Sequence, residues 1–184
     1  PGFLQALFIC FLGGVSEGFL ARGYHLINLS EGFNLRSIGK QWAILLAVLV
    51  SSSIFGLAHF LNPNASWIST LNIAIAGAVF SLGMIFTGRL AIPIGLHITW
   101  NFFQGNVFGF PVSGVRNGAT LIATEAVGSD WLTGGRFGPE AGLLGLGALL
   151  LGGLLTLFWL KRYGTLSLKT KLAEYSPTNT SEIS

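Results

Sequence analysis

Long apolar runs separated by short polar turns dominate the chain. No Asp, Glu, Lys or Arg occurs from Pro1 to Ser16, from Gln41 to Gly88, from Leu90 to Val115 or from Ala141 to Leu160. A helix needs about 20 mostly apolar residues to cross a hydrocarbon core of roughly 30 Å. The runs therefore predict an all-α, polytopic helical membrane protein with about five transmembrane helices, near residues 2–28, 41–61, 66–88, 91–111 and 140–160. Asn62-Pro63-Asn64 predicts the reversal between the second and third spans, because the residue before proline leaves helical geometry and Asn favours turns. Gly88-Arg89 and Pro93 predict the next reversal. The glycine-rich stretch from Val112 to Pro139 carries Arg116, Glu125, Asp130 and Arg136, so it is expected outside the bilayer. Ala141, Gly145, Ala148 and Gly152 predict one close-packing face on the last helix.

Composition agrees with this pattern. Of 184 residues, 51% are hydrophobic and 9% charged, against roughly 25% charged in soluble domains. The formal charge of +3 does not indicate a nucleic-acid partner, because the basic residues sit mostly at helix ends and in the tail. With alternating crossings, Arg36, Lys40, Arg89, Lys161, Arg162, Lys169 and Lys171 fall on one side, and Arg116 and Arg136 on the other. The positive-inside rule makes the first side cytoplasmic. The chain starts at Pro1 inside apolar sequence, an arrangement expected of a fragment lacking upstream helices. Cys10 is the only cysteine, which excludes intrachain disulfides. The expected organisation is a membrane domain over 1–162 and a polar, partly disordered C-terminal tail over 163–184.

Ionisable groups at bilayer depth cost at least about 2.5–3.5 kcal/mol on insertion scales and usually face a cavity. Glu17 and Arg22 interrupt the first span, His59 ends the second, and His97 with Asn101 lies in the fourth. His97 and Asn101 are four apart and share a helix face, as do Phe55 and His59. Glu17 and Arg22 are five apart, which rotates them onto different faces, so Arg22 needs another partner. A carboxylate, two imidazoles and an amide in a poorly hydrated cavity suit amide hydrolysis: the carboxylate takes a proton from water, and an imidazole orients that water. A second imidazole and the Asn amide donate to the oxyanion. Glu17, His59 and His97 are equally a candidate zinc-ligand set, although no compact motif such as His-Glu-x-x-His supports it.

At these residues the sequence resembles the CAAX-protease and bacteriocin-processing (CPBP) family of intramembrane endopeptidases. Its three signatures are Glu-Glu-x-x-x-Arg, Phe-x-x-x-His and His-x-x-x-Asn, in that order on successive helices. Here they read Glu17-Gly18-Phe19-Leu20-Ala21-Arg22, then Phe55-Gly56-Leu57-Ala58-His59, then His97-Ile98-Thr99-Trp100-Asn101. The likeness covers roughly residues 5–110. It implies that Glu17 and His59 activate water, that His97 and Asn101 stabilise the oxyanion, and that Arg22 and Phe55 support them. It also implies a multi-pass protein of a prokaryotic cell membrane, with membrane lipid and a peptide or prenylated protein as partners.

One departure from the pattern is Gly18, where the family has its second glutamate. On sequence alone, Gly18→Glu is expected to raise peptidase activity or leave it unchanged, by giving Arg22 a carboxylate four residues away. The departure also keeps open a catalytically silent immunity or scaffold protein. A small proton-coupled transporter using Glu17, His59 and His97 as a relay is a third reading. A straight alternating topology places His59 near one membrane face and His97 near the other, so joint chemistry predicts broken or tilted helices around Gly56, Pro93 and Gly95.

Overall fold

The computed structural model describes residues 2–116, 118–164 and 166–175, and among these it is all-α apart from one isolated bridge between Val112 and Val115. The first apolar run forms α1 (Phe3–Gly18), a π-helical turn (Phe19–His25) and α2 (Leu26–Phe33) without interruption. Its apolar part, Phe3–Gly32, is 30 residues long. At 1.5 Å per residue that is about 45 Å, more than the bilayer core, so it must tilt or project. Next come α3 (Lys40–Ala58) and α4 (Trp67–Thr87). The Ser66 hydroxyl accepts from the Ser69 N–H and the Ser69 hydroxyl from the Ser66 N–H, a capping box that fixes the start of α4. Gly88 ends α4 in the left-handed conformation, φ +69°. α5 (Ala91–Phe102) runs into a second π-helical turn (Phe103–Val107). A short α6 (Asp130–Thr133) and a 3-10 turn (Pro139–Ala141) precede α7 (Leu143–Tyr163).

Among the described residues, four helical runs are long and apolar enough to cross a membrane: Phe3–Gly32, Lys40–Ala58, Trp67–Thr87 and Leu143–Tyr163. The span expected over 91–111 is shorter than the others, because Gly109 turns the chain at φ +72° and Pro111 has no N–H to extend a helix.

Lipid tails are as apolar as Leu, so helices in a membrane are held by close packing rather than by a hydrophobic drive between them. α4 is the most enclosed helix, and small residues let its neighbours approach it. Gly56 of α3 abuts Ala74 and the Thr70 carbonyl, Gly77 abuts Ser52, and Gly83 abuts Ile92 and Pro93 of α5. α7 meets α4 where Gly153 faces Val79 and Leu82. Its buried line is Gly145, Leu149, Gly153, Thr156 and Leu160. The expected stripe is thus corrected: Ala148 is exposed and Gly152 half-buried, because the contact with α4, not residue size, selects the face.

The segment after α7 packs against the end of α2, the start of α3 and the end of α4. Lys169 donates its N–H to the Ile85 carbonyl (2.8 Å), the Asn34 amide donates to the Ala173 carbonyl (2.8 Å), and Lys40 Nζ pairs with Glu174 Oε1 (2.6 Å). Ala173 joins a core with Leu26, Ile44 and Met84. Of the polar tail expected to be partly disordered over 163–184, residues 165 and 176–184 lie outside the described residues.

Candidate active site

Three helices deliver their polar groups to one height. α1 and α5 run side by side, with Gly14 against Ile98, Gly18 against Ile94 and Gly23 against Leu90. α5 therefore begins beside Gly23, ten residues (about 15 Å) short of Phe33. At 1.5 Å per residue His97 lies about 10 Å beyond Leu90, Glu17 about 24 Å from Phe33 and His59 about 28 Å from Lys40. The paths reach nearly the same level. The expectation that His97 sits near the opposite membrane face is corrected: α5 starts deep, and α3 and α5 stay continuous through Gly56, Pro93 and Gly95.

Glu17 Oε2 lies 3.8 Å from His59 Nε2 and 3.8 Å from His97 Nε2. The glutamate side chain is 39% exposed, His59 15% and His97 7%. His59 Nδ1 lies 2.8 Å from the Phe55 carbonyl. A carbonyl can only accept, so Nδ1 carries a proton toward Phe55, and the ring turns its Nε2 toward Glu17. Phe55, one turn away, packs edge-on to His59 with ring centroids 4.8 Å apart. Phe80 of α4 stacks on His97 at 5.2 Å. Glu17 Oε2 and His97 Nδ1 are buried without a hydrogen-bond partner among the described residues. Both belong to a cavity of about 270 Å³ that also takes in Asn101, so all four sequence-singled residues line one space.

Arg22 does not pair directly with Glu17. The π-helical turn carries it inward, where it is 2% exposed. Its guanidinium lies 4.3 Å from the Phe55 ring centroid and 5.5 Å from that of Phe80, and Nη2 donates to the Gly77 carbonyl at 3.3 Å. Cation–π contacts of this kind contribute roughly 0.5–2 kcal/mol each. Arg22 thus sits behind the aromatic rings that hold both imidazoles. Gly18, meanwhile, faces α5: a Cβ there would lie 2.6 Å from Ile94 Cγ1. Gly14 and Gly18 form the small-residue seam that lets α1 approach α5.

Sequence reasoning missed several members of this site. Phe80 carries no motif. Cys10, Asn62, Asn106 and Ser113 also line the cavity, and Asn106, buried within an apolar run, was the available signal. Ser113 comes from the loop after α5, and Glu140 holds it: Glu140 Oε2 accepts from the Ser113 N–H (2.5 Å) and hydroxyl (3.2 Å), and Oε1 from the Trp100 indole (3.3 Å). Glu140 lies ahead of α7, and burial pushes its carboxyl above the ordinary glutamate range, opposed by these hydrogen bonds.

Among the described residues no group of three His, Cys, Asp or Glu is gathered as a metal site. Both carboxylate–imidazole distances of 3.8 Å exceed the roughly 3.4 Å between ligand atoms of a tetrahedral zinc. The Glu17, His59 and His97 set as it stands does not fit zinc.

Residues 1–103, more than half of the chain, match the family model described as type II CAAX prenyl endopeptidase Rce1-like. No curated protein and no solved structure matches the chain.

Proposed function

Because the chain belongs to the type II CAAX prenyl endopeptidase Rce1-like family, we propose that it is an intramembrane endopeptidase in which Glu17 activates water against a peptide carbonyl. The observation that carries this reading is the placement of Glu17 Oε2 equally, at 3.8 Å, from two imidazole nitrogens within one cavity. A water in that gap donates one hydrogen to Glu17 and the other to Nε2 of His59. Glu17 takes the proton as the water oxygen bonds to the carbonyl carbon. The oxyanion receives the Asn101 amide and His97 Nε2–H, and one such donor typically contributes about 2.7–4 kcal/mol. Collapse breaks the C–N bond, and Glu17 returns its proton to the amine.

Arg22 supports the reading as a fixed cation behind Phe55 and Phe80. The seam formed by Gly14 and Gly18 gives Gly18 a packing role; a catalytically silent immunity or scaffold protein and a small proton-coupled transporter are the alternative readings. Substrates of this reading are membrane-associated peptides or prenylated proteins, reached through a second cavity of about 310 Å³ that shares Glu17, His59 and Asn62 with the first. In this reading the membrane domain covers residues 1–162, and the end bearing Lys40 and Lys169 faces the cytoplasm by the positive-inside rule.

The test is cleavage of a library of prenylated and unprenylated peptides by the full chain in detergent. Glu17→Gln keeps the shape but cannot take the water's proton, so cleavage stops while the thermal melt is retained. Wild-type turnover in that variant removes glutamate-based hydrolysis.

A further inference from the structure

The family match ends at residue 103, yet one wall of the cavity comes from beyond it. Val112 and Val115 exchange backbone hydrogen bonds of 2.8 and 2.9 Å, closing a tight turn whose tip is Ser113-Gly114. Ser113 has φ +47°, a region that non-glycine residues seldom adopt and that surrounding contacts must enforce. The Asn62 amide donates to the Ser113 carbonyl at 3.0 Å and the Gly114 N–H to the Phe137 carbonyl at 2.8 Å. Both Ser113 donors end on the Glu140 carboxylate.

Glu140 is the joint of this construction. Its other carboxylate oxygen takes the indole N–H of Trp100, which lies between His97 and Asn101 on α5, and its carbonyl takes the Asn72 amide of α4 at 2.9 Å. No Lys or Arg forms an ion pair with it among the described residues. Three of the roughly four acceptor sites of its carboxylate are taken by Ser113 and Trp100. Only a carboxylate oxygen accepts both Ser113 donors while the other oxygen accepts the indole; an amide in its place would aim N–H at one of those donors.

We propose that Glu140 is a positioning residue of the hydrolytic site, holding the turn at Ser113 as a fixed wall of the cavity that contains Glu17 and so setting which residues flank the bond that is cut. The proposal rests on the reading of Glu17 as the hydrolytic base. Its consequence is a division of labour. Residues 17–101 carry the chemistry, whereas Ser113 and Glu140 shape the space around the peptide.

Cys10 is a native reporter of that wall. It is the only thiol in the chain, it is 5% exposed, and it lines the same cavity as Val112 and Ser113. In Glu140→Gln, a maleimide should react with Cys10 roughly tenfold faster or more, the change expected when a hydrogen bond to a charged group is lost. For cleaved peptides KM should rise while kcat changes less, and bulkier flanking residues should be accepted. Ser113→Ala, which removes only the hydroxyl bond, should move both readouts less and in the same direction. A folded Glu140→Gln whose Cys10 reacts at the wild-type rate overturns the proposal, as does a fall in kcat at unchanged KM, the mark of fewer active molecules. Where Glu140→Gln does not fold, Ser113→Ala decides, and unchanged labelling there overturns it. The thiol measurement needs no substrate, so absent cleavage by the wild type counts against hydrolysis alone.

Discussion

Installing the family's second glutamate, Gly18→Glu, should damage this protein. Sequence alone points the other way, since a glutamate four residues before Arg22 looks like a helix-surface ion pair. In the folded chain the Cβ of residue 18 would lie 2.6 Å from Ile94 Cγ1, and ordinary contact begins near 3.4 Å, so either the Ile94 side chain must turn or α1 and α5 must part before the carboxylate is placed. Overpacking of this kind costs about 1–3 kcal/mol, of which leaving glycine in a helix recovers up to about 1. Arg22 offers little in return, because it is turned toward Phe55, Phe80 and Gly77 while position 18 faces α5. The catalytic effect is larger than the stability effect. His97 rides on α5 and Glu17 on α1, and a misplacement of about 1 Å can cost on the order of a hundredfold in rate. The assay is peptide cleavage beside a thermal melt for the wild type, Gly18→Glu, Ile94→Ala and the double variant. The single glutamate variant should lose most activity, and Ile94→Ala should restore part of it in the double variant, a coupling visible in the cycle. Full activity in Gly18→Glu, or no recovery in the double variant, refutes the argument that Gly18 serves packing.

His59→Ala should be nearly as severe as Glu17→Gln, whereas Asn101→Ala should keep turnover reduced about 10²–10³-fold because His97 still donates; single-turnover cleavage ranks the three. Phe80→Ala removes the ring against both His97 and Arg22, and truncating a buried Phe typically costs about 3–5 kcal/mol, which a thermal melt would register. Glu174 is exposed, and the Lys40 ammonium beside it holds its carboxyl below the ordinary glutamate range. Its contribution is therefore present above about pH 4.3 and lost as pH falls through the depressed value, so limited proteolysis should cut the 166–175 segment faster in acid and in Lys40→Ala at neutral pH; equal rates would show that the pair does not hold the segment.

The helices were legible because their cause is local: charge-free runs of sufficient length leave few alternatives, and Pro63 and Gly88 mark where two of them stop. Glu17, His59, His97 and Asn101 were legible because an ionisable group in such a run needs a reason to be there. Their common height was not, since it depends on how deep α5 begins, and that depth is set by Gly23 meeting Leu90 and Gly83 meeting Pro93. Nor was the inward turn of Arg22, because a π-helical turn alters the 3.6-residue phase without a residue that announces it. Ser113 and Glu140 were hidden for another reason. Their link joins a loop to the start of α7 through hydrogen bonds that follow no period.

The position of Glu140 late in the chain also bears on the timing of synthesis. At roughly 5–20 residues per second, the 39 residues separating Asn101 from Glu140 take about 2–8 s to emerge. Throughout that interval Glu17, His59, His97 and Asn101 already exist, while the side chain that anchors Ser113 does not. A nascent chain therefore passes through a stage in which the cavity around Glu17 lacks its wall, and it leaves that stage only when the approach to α7 has been made.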